Sequence, residues 1–272
     1  MDFRLSQEAR QKIIDRPALK KNIEFCCLTQ SEKARGLKAN FLVILEDGFS
    51  ELQVLEFIIY SNIRNFVQNS YWSAVDKLAT LLSLADKQNT FFEEQFCLFP
   101  DAEMKFTLKF NAETDRTQLT KEAFANMKMS IGSNRTAHIQ QTIDELAMNA
   151  QFTAPNSGIT QNSRDSILII EKNKTLVGIS VVDYYGTLDI NKFLKKIEHC
   201  LKFGKGESIN YSQGGAGLGA SIIYTHSDLI MLGCEKGKRT RVTSVLPYNI
   251  NENNFSYIQK SICIIDSGDI YE

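Results

Sequence analysis

Four glycines stand within six residues at 214–219, GGAGLG, directly ahead of the apolar stretch Ala220–His226. A backbone this bare can approach a ligand closely, and its N–H groups can converge on an anion at the start of the helix that follows. Taken alone, the segment suits a phosphate cradle and a structural connection equally well. Two better-known glycine motifs do not describe it. A dinucleotide-binding fingerprint needs G-x-G-x-x-G after a buried strand and an acidic residue about 20 positions on. Glu235 could serve as that acid, but the spacing here is G-x-G-x-G and the preceding ESINYSQ is too polar for a central strand. No G-x-x-x-x-G-K-[ST] run occurs, which excludes a Walker-type phosphate loop.

The rest of the chain surrounds this cluster with alternating elements. MKFTLKF, from Met104, alternates as a strand does. After a polar segment, helical spacing begins near Asn134 and runs to Asn149. PNSG (Pro155–Gly158) breaks the chain. DSILIIEK (Asp165–Lys172) and TLVGISVVD (Thr175–Asp183) read as a hairpin across Asn173-Lys174. A lysine-rich amphipathic helix, Ile190–Phe203, leads to the glycines, and strands Leu229–Cys234 and Thr240–Leu246 follow the helix Ala220–His226. Residues 1–103 read differently. FLVILEDG (Phe41–Gly48) suits a strand; Ser50–Asn65 and Trp72–Leu84 suit helices; FFEEQFCLFP ends at Pro100, a plausible boundary. The expected organisation is an N-terminal, mostly helical domain over 1–103, an α/β domain over 104–250 and a C-terminal tail over 251–272.

Two further segments carry chemistry. In ELAMN, Glu145 and Asn149 are four residues apart and share one helix face. A carboxylate and a carboxamide there can serve as general base and Mg²⁺ ligand, although solvated helices often show the same pair. In VVDYYG, Asp183 ends an apolar run, where a carboxylate can accept a hydrogen bond from the exocyclic amine of adenine; by itself it reads equally as a turn residue.

Together and in this order, Glu-x-x-x-Asn on a helix, Asp-x-x-Gly after a strand and the glycine cluster before a helix resemble the N, G1 and G2 boxes of the Bergerat-fold (GHKL) ATPases. The resemblance covers about residues 104–248. It implies an α+β sandwich whose mixed β-sheet is covered by helices on one face. It also implies ATP and Mg²⁺ as cofactors. Asn149 would be the metal ligand. Asp183, Gly186, Gly214, Gly215, Gly217, Leu218, Gly219 and Thr240 would hold the nucleotide, Thr240 near the adenine on the closing strand KRTRVTSVLP. In the segment between Asp189 and Gly214, Lys202 and Lys205 are the cations placed to reach a terminal phosphate.

The acidic residue four before the asparagine is similar to the serine-kinase and anti-sigma-factor branch. Glu145 would then be the catalytic base of a serine/threonine protein kinase acting on a partner protein, an anti-anti-sigma-like or other regulator. A non-catalytic ATP sensor and an ATPase use the same residues and stay open. One departure stands out: the usual Asp-x-Gly-x-Gly is here Asp183-Tyr184-Tyr185-Gly186-Thr187, so two tyrosines have to be accommodated beside the nucleotide.

Composition narrows the remaining classes. A net charge of −1 with cations spread along the chain does not indicate a nucleic-acid surface. No apolar run approaches the roughly 20 residues of a membrane span, and MDFRLSQEARQKIIDR lacks a signal-peptide core, so a cytoplasmic protein is expected. Cys26, Cys27, Cys97, Cys200, Cys234 and Cys263 contain no CxxC pair and read as free thiols. His138 reads as structural, and a homodimer is compatible with the sequence.

Overall fold

The computed structural model describes residues 7–15, 23–26, 42–45, 50–60, 64–85, 88–128, 134–153, 164–204, 218–248 and 260–266. In chain order the elements are α1 (Gln7–Ile14), β1 (Ile23–Cys26), β2 (Leu42–Leu45), α2 (Glu51–Tyr60), β3 (Asn65–Gln68), α3 (Ala74–Ala85), β4 (Met104–Phe110), α4 (Arg116–Met127) and α5 (Asn134–Met148). They continue with β5 (Ser166–Lys172), β6 (Leu176–Asp183), α6 (Ile190–Phe203), α7 (Gly219–His226), β7 (Leu229–Glu235), β8 (Arg239–Pro247) and β9 (Ser261–Asp266). A 3₁₀ turn spans Gln88–Phe92, and a π-turn, Asn149–Thr153, extends α5.

Among the described residues the strands form one nine-stranded mixed sheet in the order β1-β2-β3-β9-β7-β8-β6-β5-β4. From β7 to β4 every pairing is antiparallel. The parallel pairings are β1 with β2, β2 with β3, and β7 with β9. The α/β character and the mixed sheet expected from the sequence are present, and the elements read between Met104 and Leu246 fall where expected. The polar segment after β4 proves to hold α4, capped by Asp115, whose carboxylate accepts from the Thr117 and Gln118 N–H groups at 2.7 and 3.3 Å. Strands β1 and β3 join the one strand expected before residue 103, and all three lie in the same sheet as β4–β8. Residues 251–272, expected as a tail, contribute β9, which lies between β3 and β7.

Side chains alternate across each strand, and the two faces are covered by different parts of the chain. On one face Leu168, Ile170, Ile179, Val181, Ile230 and Ile264 meet apolar residues of α2, α4, α5, α6 and α7. The other face is covered by α3 and the aromatic segment 91–99, with Leu78, Phe91, Phe96 and Phe99 against Met231, Val245 and Cys263. Strand β6, LVGISVVD, is buried at every position, which explains its nearly unbroken apolar run. Two strand glycines make room for this cover: a Cβ at Gly233 would lie 2.6 Å from Phe91 Cε1, and one at Gly178 would overlap Leu98.

Buried charges fasten the cover down. Arg241, fully buried, donates to the Phe91 and Glu93 carbonyls at 2.6 and 3.2 Å and to Ser180 Oγ at 3.0 Å, with the Phe91 and Phe96 rings each 5.1 Å away. Burial pulls its pKa down to about 10, opposed by Glu171, and it stays charged at neutral pH. Glu171 in turn accepts from the Leu98 and Phe99 N–H groups at 2.8 and 3.3 Å. At the junction of α3, β3, β7 and β9, Lys77 and Asp228 form an ion pair at 2.5 Å with both side chains wholly buried. Lys77 also donates to Gln68 O, Ser70 Oγ and Ser261 Oγ, while Asp228 accepts from Ser70 Oγ and the Trp72 N–H.

Candidate functional site

Helix α5 anchors itself by an apolar row, Ile139, Ile143, Leu146 and Ala147, continued by Ala150 in the π-turn. Glu145 and Asn149 fall beside that row, one turn apart, and face the first residue of α7. A Cβ at Gly219 would collide with Glu145 Oε2, and it would lie 3.3 Å from Glu145 Cδ and 4.0 Å from Asn149 Nδ2. Any larger residue at the last position of the cluster would thus have to displace the Glu145 carboxylate. Leu218 occupies the capping position of α7, and its side chain makes no cap hydrogen bond.

Glu145 is half-buried, and its Oε2 has no hydrogen-bond partner among the described residues. Burial raises its pKa, Asp144 adds to the rise, and Arg116 opposes it. Arg116 itself is turned toward Asp144, with Nη1 and Oδ1 3.5 Å apart.

Asp183 closes β6 on the face that α5 covers, since Ile179 and Val181 point the same way. It is 8% exposed, and burial lifts its pKa to about 6. The N–H groups of Tyr185, at 3.0 Å, and Gly186 pull the other way, as does the Thr240 hydroxyl. Thr240 stands directly across from Asp183 in the β6–β8 register. Its Oγ1 lies near enough to steady the carboxylate, yet it is buried and makes no well-aligned hydrogen bond with a described residue.

Gly186 has a structural reason to be glycine. Its φ is +61°, and a Cβ there would collide with Glu235 O and lie 2.5 Å from Lys238 N, in the turn between β7 and β8. The Gly237 N–H donates to the Gly186 carbonyl at 3.0 Å. The strand-end loop that carries Asp183 is thus tied to the hairpin that carries Thr240. The tyrosine departure is partly answered by the same loop. Tyr184 packs with Ile167, Ile169 and Val182 on the opposite face of the sheet from Asp183, its ring 5.1 Å from the Arg164 guanidinium. Tyr185 is buried.

Gly214, Gly215, Gly217 and Lys205 lie outside the described residues. Lys202 is held by Glu198 at 2.8 Å and Glu56 at 2.9 Å, hydrogen bonds that raise its pKa. It joins α6 to α2 and is not free to serve a phosphate. His138 stacks on His226 at 4.2 Å and meets Arg135 at 3.1 Å, in keeping with a structural role. Cys97, Cys200 and Cys263 are free thiols. No helix among the described residues is long and apolar enough to cross a membrane.

One group beside the site was not apparent from the sequence: Gln151, in the π-turn. It is 4% exposed, and its Nε2 donates to Asn111 O at 2.6 Å and Thr114 O at 3.0 Å. A polar residue two positions after Asn149 carried no spacing signal, because the π-turn shifts the helical register there.

These features suit an adenine nucleotide with its cation. A buried carboxylate beside a hydroxyl without a partner matches the donors and acceptors of an adenine edge. An uncapped helix N-terminus favours an anion. The orphaned Glu145 oxygen lies beside that terminus.

The fold and these side chains define an α/β protein whose central mixed sheet carries a buried carboxylate, Asp183, across from Thr240 at the ends of β6 and β8. No known family's sequence profile matches the chain, and no curated protein matches it. Among solved structures, it is similar to a chain from the crystal structure of the SiaB–SiaC complex of Pseudomonas aeruginosa, at 14% identity and a TM-score of 0.36. The match covers 60% of this chain and 97% of that one. At that distance the likeness says nothing about activity here.

Proposed function

We propose that the protein binds Mg²⁺-ATP where α5, the start of α7 and the ends of β6 and β8 meet, and transfers the terminal phosphoryl group to a serine or threonine hydroxyl of a partner protein. Support comes first from the two buried polar atoms that lack partners among the described residues, Glu145 Oε2 and Thr240 Oγ1. An unsatisfied buried polar group costs about 1–3 kcal/mol, and a ligand that engages both removes that cost. The regulatory, anti-sigma-type assignment rests on the resemblance of the Glu145–Asn149, Asp183–Gly186 and Gly214–Gly219 segments.

The roles follow from chemistry. Asp183 accepts from the exocyclic amine of adenine, and Thr240 donates to a ring nitrogen. The N–H groups at the start of α7, with Gly214, Gly215 and Gly217, hold the phosphates, and Lys205 is the remaining cation of that segment. Asn149 holds the Mg²⁺, which offsets charge on the phosphate oxygens when bound. Glu145 takes the proton from the acceptor hydroxyl. Its raised pKa makes it a stronger base at neutral pH, and general-base catalysis of this kind contributes roughly 10²–10⁴-fold in rate.

Incubating the protein with γ-labelled ATP, Mg²⁺ and a cell lysate is the test. Label on a protein that disappears with Glu145→Ala supports transfer. Free phosphate alone reassigns the site to hydrolysis, and binding without either product reassigns it to nucleotide sensing. If calorimetry detects no binding of adenine nucleotide, the reading is wrong.

A further inference from the structure

Asn149 is the first residue of the π-turn Asn149–Thr153. A π-turn adds one residue to the helical ring, is rare, and is frequent at functional sites. Here it is clamped from outside. Gln151 sits in the middle of the turn, nine-tenths or more buried, and donates to the carbonyls of Asn111 and Thr114 at 2.6 and 3.0 Å.

The receiving turn is itself locked. Asn111 Oδ1 accepts from the Glu113 N–H at 3.0 Å, the Asn111 N–H donates to Thr114 Oγ1 at 3.0 Å, and the Thr114 N–H donates to Asn111 O at 3.2 Å. The next residue, Asp115, caps α4. A carboxamide has two N–H donors, and both are directed here at fixed acceptors, so Gln151 holds the π-turn at two points.

We infer that Gln151 is a positioning residue for a divalent cation bound at Asn149, fixing the π-turn so that the Asn149 carboxamide is aimed in advance. This rests on the proposed Mg²⁺-nucleotide site. Gln151 touches neither cation nor nucleotide; it acts through the backbone two residues away. Removing a group that orients a metal ligand typically lowers metal affinity roughly 10–100-fold. The loss should fall on the metal-dependent part of nucleotide binding, since the two bonds of Gln151 go to the Asn111–Thr114 turn and not to the groups on β6, β8 and α7.

The experiment is calorimetric titration of ATP into the full chain, once in EDTA and once in excess Mg²⁺, for wild type, Gln151→Leu, Gln151→Asn and Asn149→Ala. Gln151→Leu removes both donors and leaves an apolar side chain in their place. Gln151→Asn is one methylene shorter, cannot span both carbonyls, and gives a readout if the leucine variant does not fold. The expected result is that Asn149→Ala abolishes the Mg²⁺-dependent gain in affinity. Gln151→Leu should reduce that gain at least about tenfold and Gln151→Asn by less, with affinity in EDTA unchanged in both. A full Mg²⁺ gain in both Gln151 variants, alongside its loss in Asn149→Ala, overturns the clamp and leaves the site. Equal losses in EDTA and Mg²⁺ also overturn it, because a structural defect would act on both. A full gain in Asn149→Ala moves the cation elsewhere and defeats both readings.

Discussion

Replacing Asp183 by asparagine should stabilise the nucleotide-free protein at neutral pH and abolish its response to ATP. The carboxylate is almost wholly buried, and burial raises its pKa from 3.8 to about 6. An acid whose pKa is higher in the folded state favours folding in its neutral form. That contribution is complete below pH 3.8, and it is lost as pH rises through about 6. At pH 8 the fold therefore carries an ionised carboxylate at a cost of a few kcal/mol, by the conversion of about 1.4 kcal/mol per pKa unit. Asparagine keeps an oxygen for the Tyr185 and Gly186 N–H groups. It also offers its amide to Thr240 Oγ1, which has no hydrogen-bond partner among the described residues. The expected gain at pH 8 is about 1–3 kcal/mol, or roughly 2–10 °C in Tm for a chain of this size. At pH 4 the gain should shrink toward zero, since the wild-type group is then largely neutral as well. Scanning calorimetry of both proteins at the two pH values, in EDTA and then with Mg²⁺-ATP, measures all of this. ATP should raise the wild-type Tm and leave the variant's unmoved. A variant that is less stable at pH 8, or equally stabilised at both pH values, would refute the electrostatic reasoning.

Asp228→Ala should destabilise the fold by about 3–5 kcal/mol, because it leaves the Lys77 ammonium buried without its counter-charge; urea unfolding measures it, and Lys77→Met with Asp228→Leu should recover much of the loss. Gly233→Val should cost about 1–3 kcal/mol by forcing Phe91 off the sheet, again read by urea unfolding. Lys202→Ala should leave ATP affinity unchanged by calorimetry, since Glu198 and Glu56 already hold that ammonium. Gly219→Ala should displace the Glu145 carboxylate and lower transfer of labelled phosphate, with ATP affinity reduced far less.

How legible the molecule was depended on segment length and on what each pattern had to report. Strands of seven or more residues, β5 and β6 among them, and the strongly amphipathic α6 stood out because their periodicity has room to repeat. Strands β1 and β3 have four residues each; IEFC and NFVQ do not distinguish a strand from one turn of helix, and NFVQ reads as the end of α2. SICIID is apolar enough for a buried strand, but its partners, β3 and β7, are remote in sequence. Helix α4 had a usable signal in the Asp115 cap and in Leu119, Ala123, Phe124 and Met127 on one face. At the site, Glu145, Asn149, Asp183 and Thr240 were readable by type and order. The Gln151 clamp and the Arg241 anchor were not, because each bonds to backbone carbonyls far along the chain, and a carbonyl has no sequence identity.

The anchor bears directly on how a partner can reach the site. Thr240 and Arg241 are neighbours on β8 and point to opposite faces: Thr240 lies beside Asp183, and Arg241 holds the Phe91 and Glu93 carbonyls. The strand that carries Thr240 is thus gripped from behind by the segment that covers the second face of the sheet. Glu93 adds a second grip at 2.8 Å from Arg239, whose guanidinium lies 4.8 Å from the centre of the Phe92 ring. A partner cannot dock on that part of the sheet without expelling Phe91, Phe96 and Phe99, each at most 7% exposed. At about 1.5–3 kcal/mol for each buried large side chain, expulsion would consume most of the stability of an ordinary domain. On the proposed reading, the acceptor hydroxyl would then approach Glu145 from the helical face of the sheet. Gly219 lies on that side too, against the Glu145 carboxylate, so the aromatic cover on the second face leaves the helical face as the side from which the proposed reading has a partner arrive.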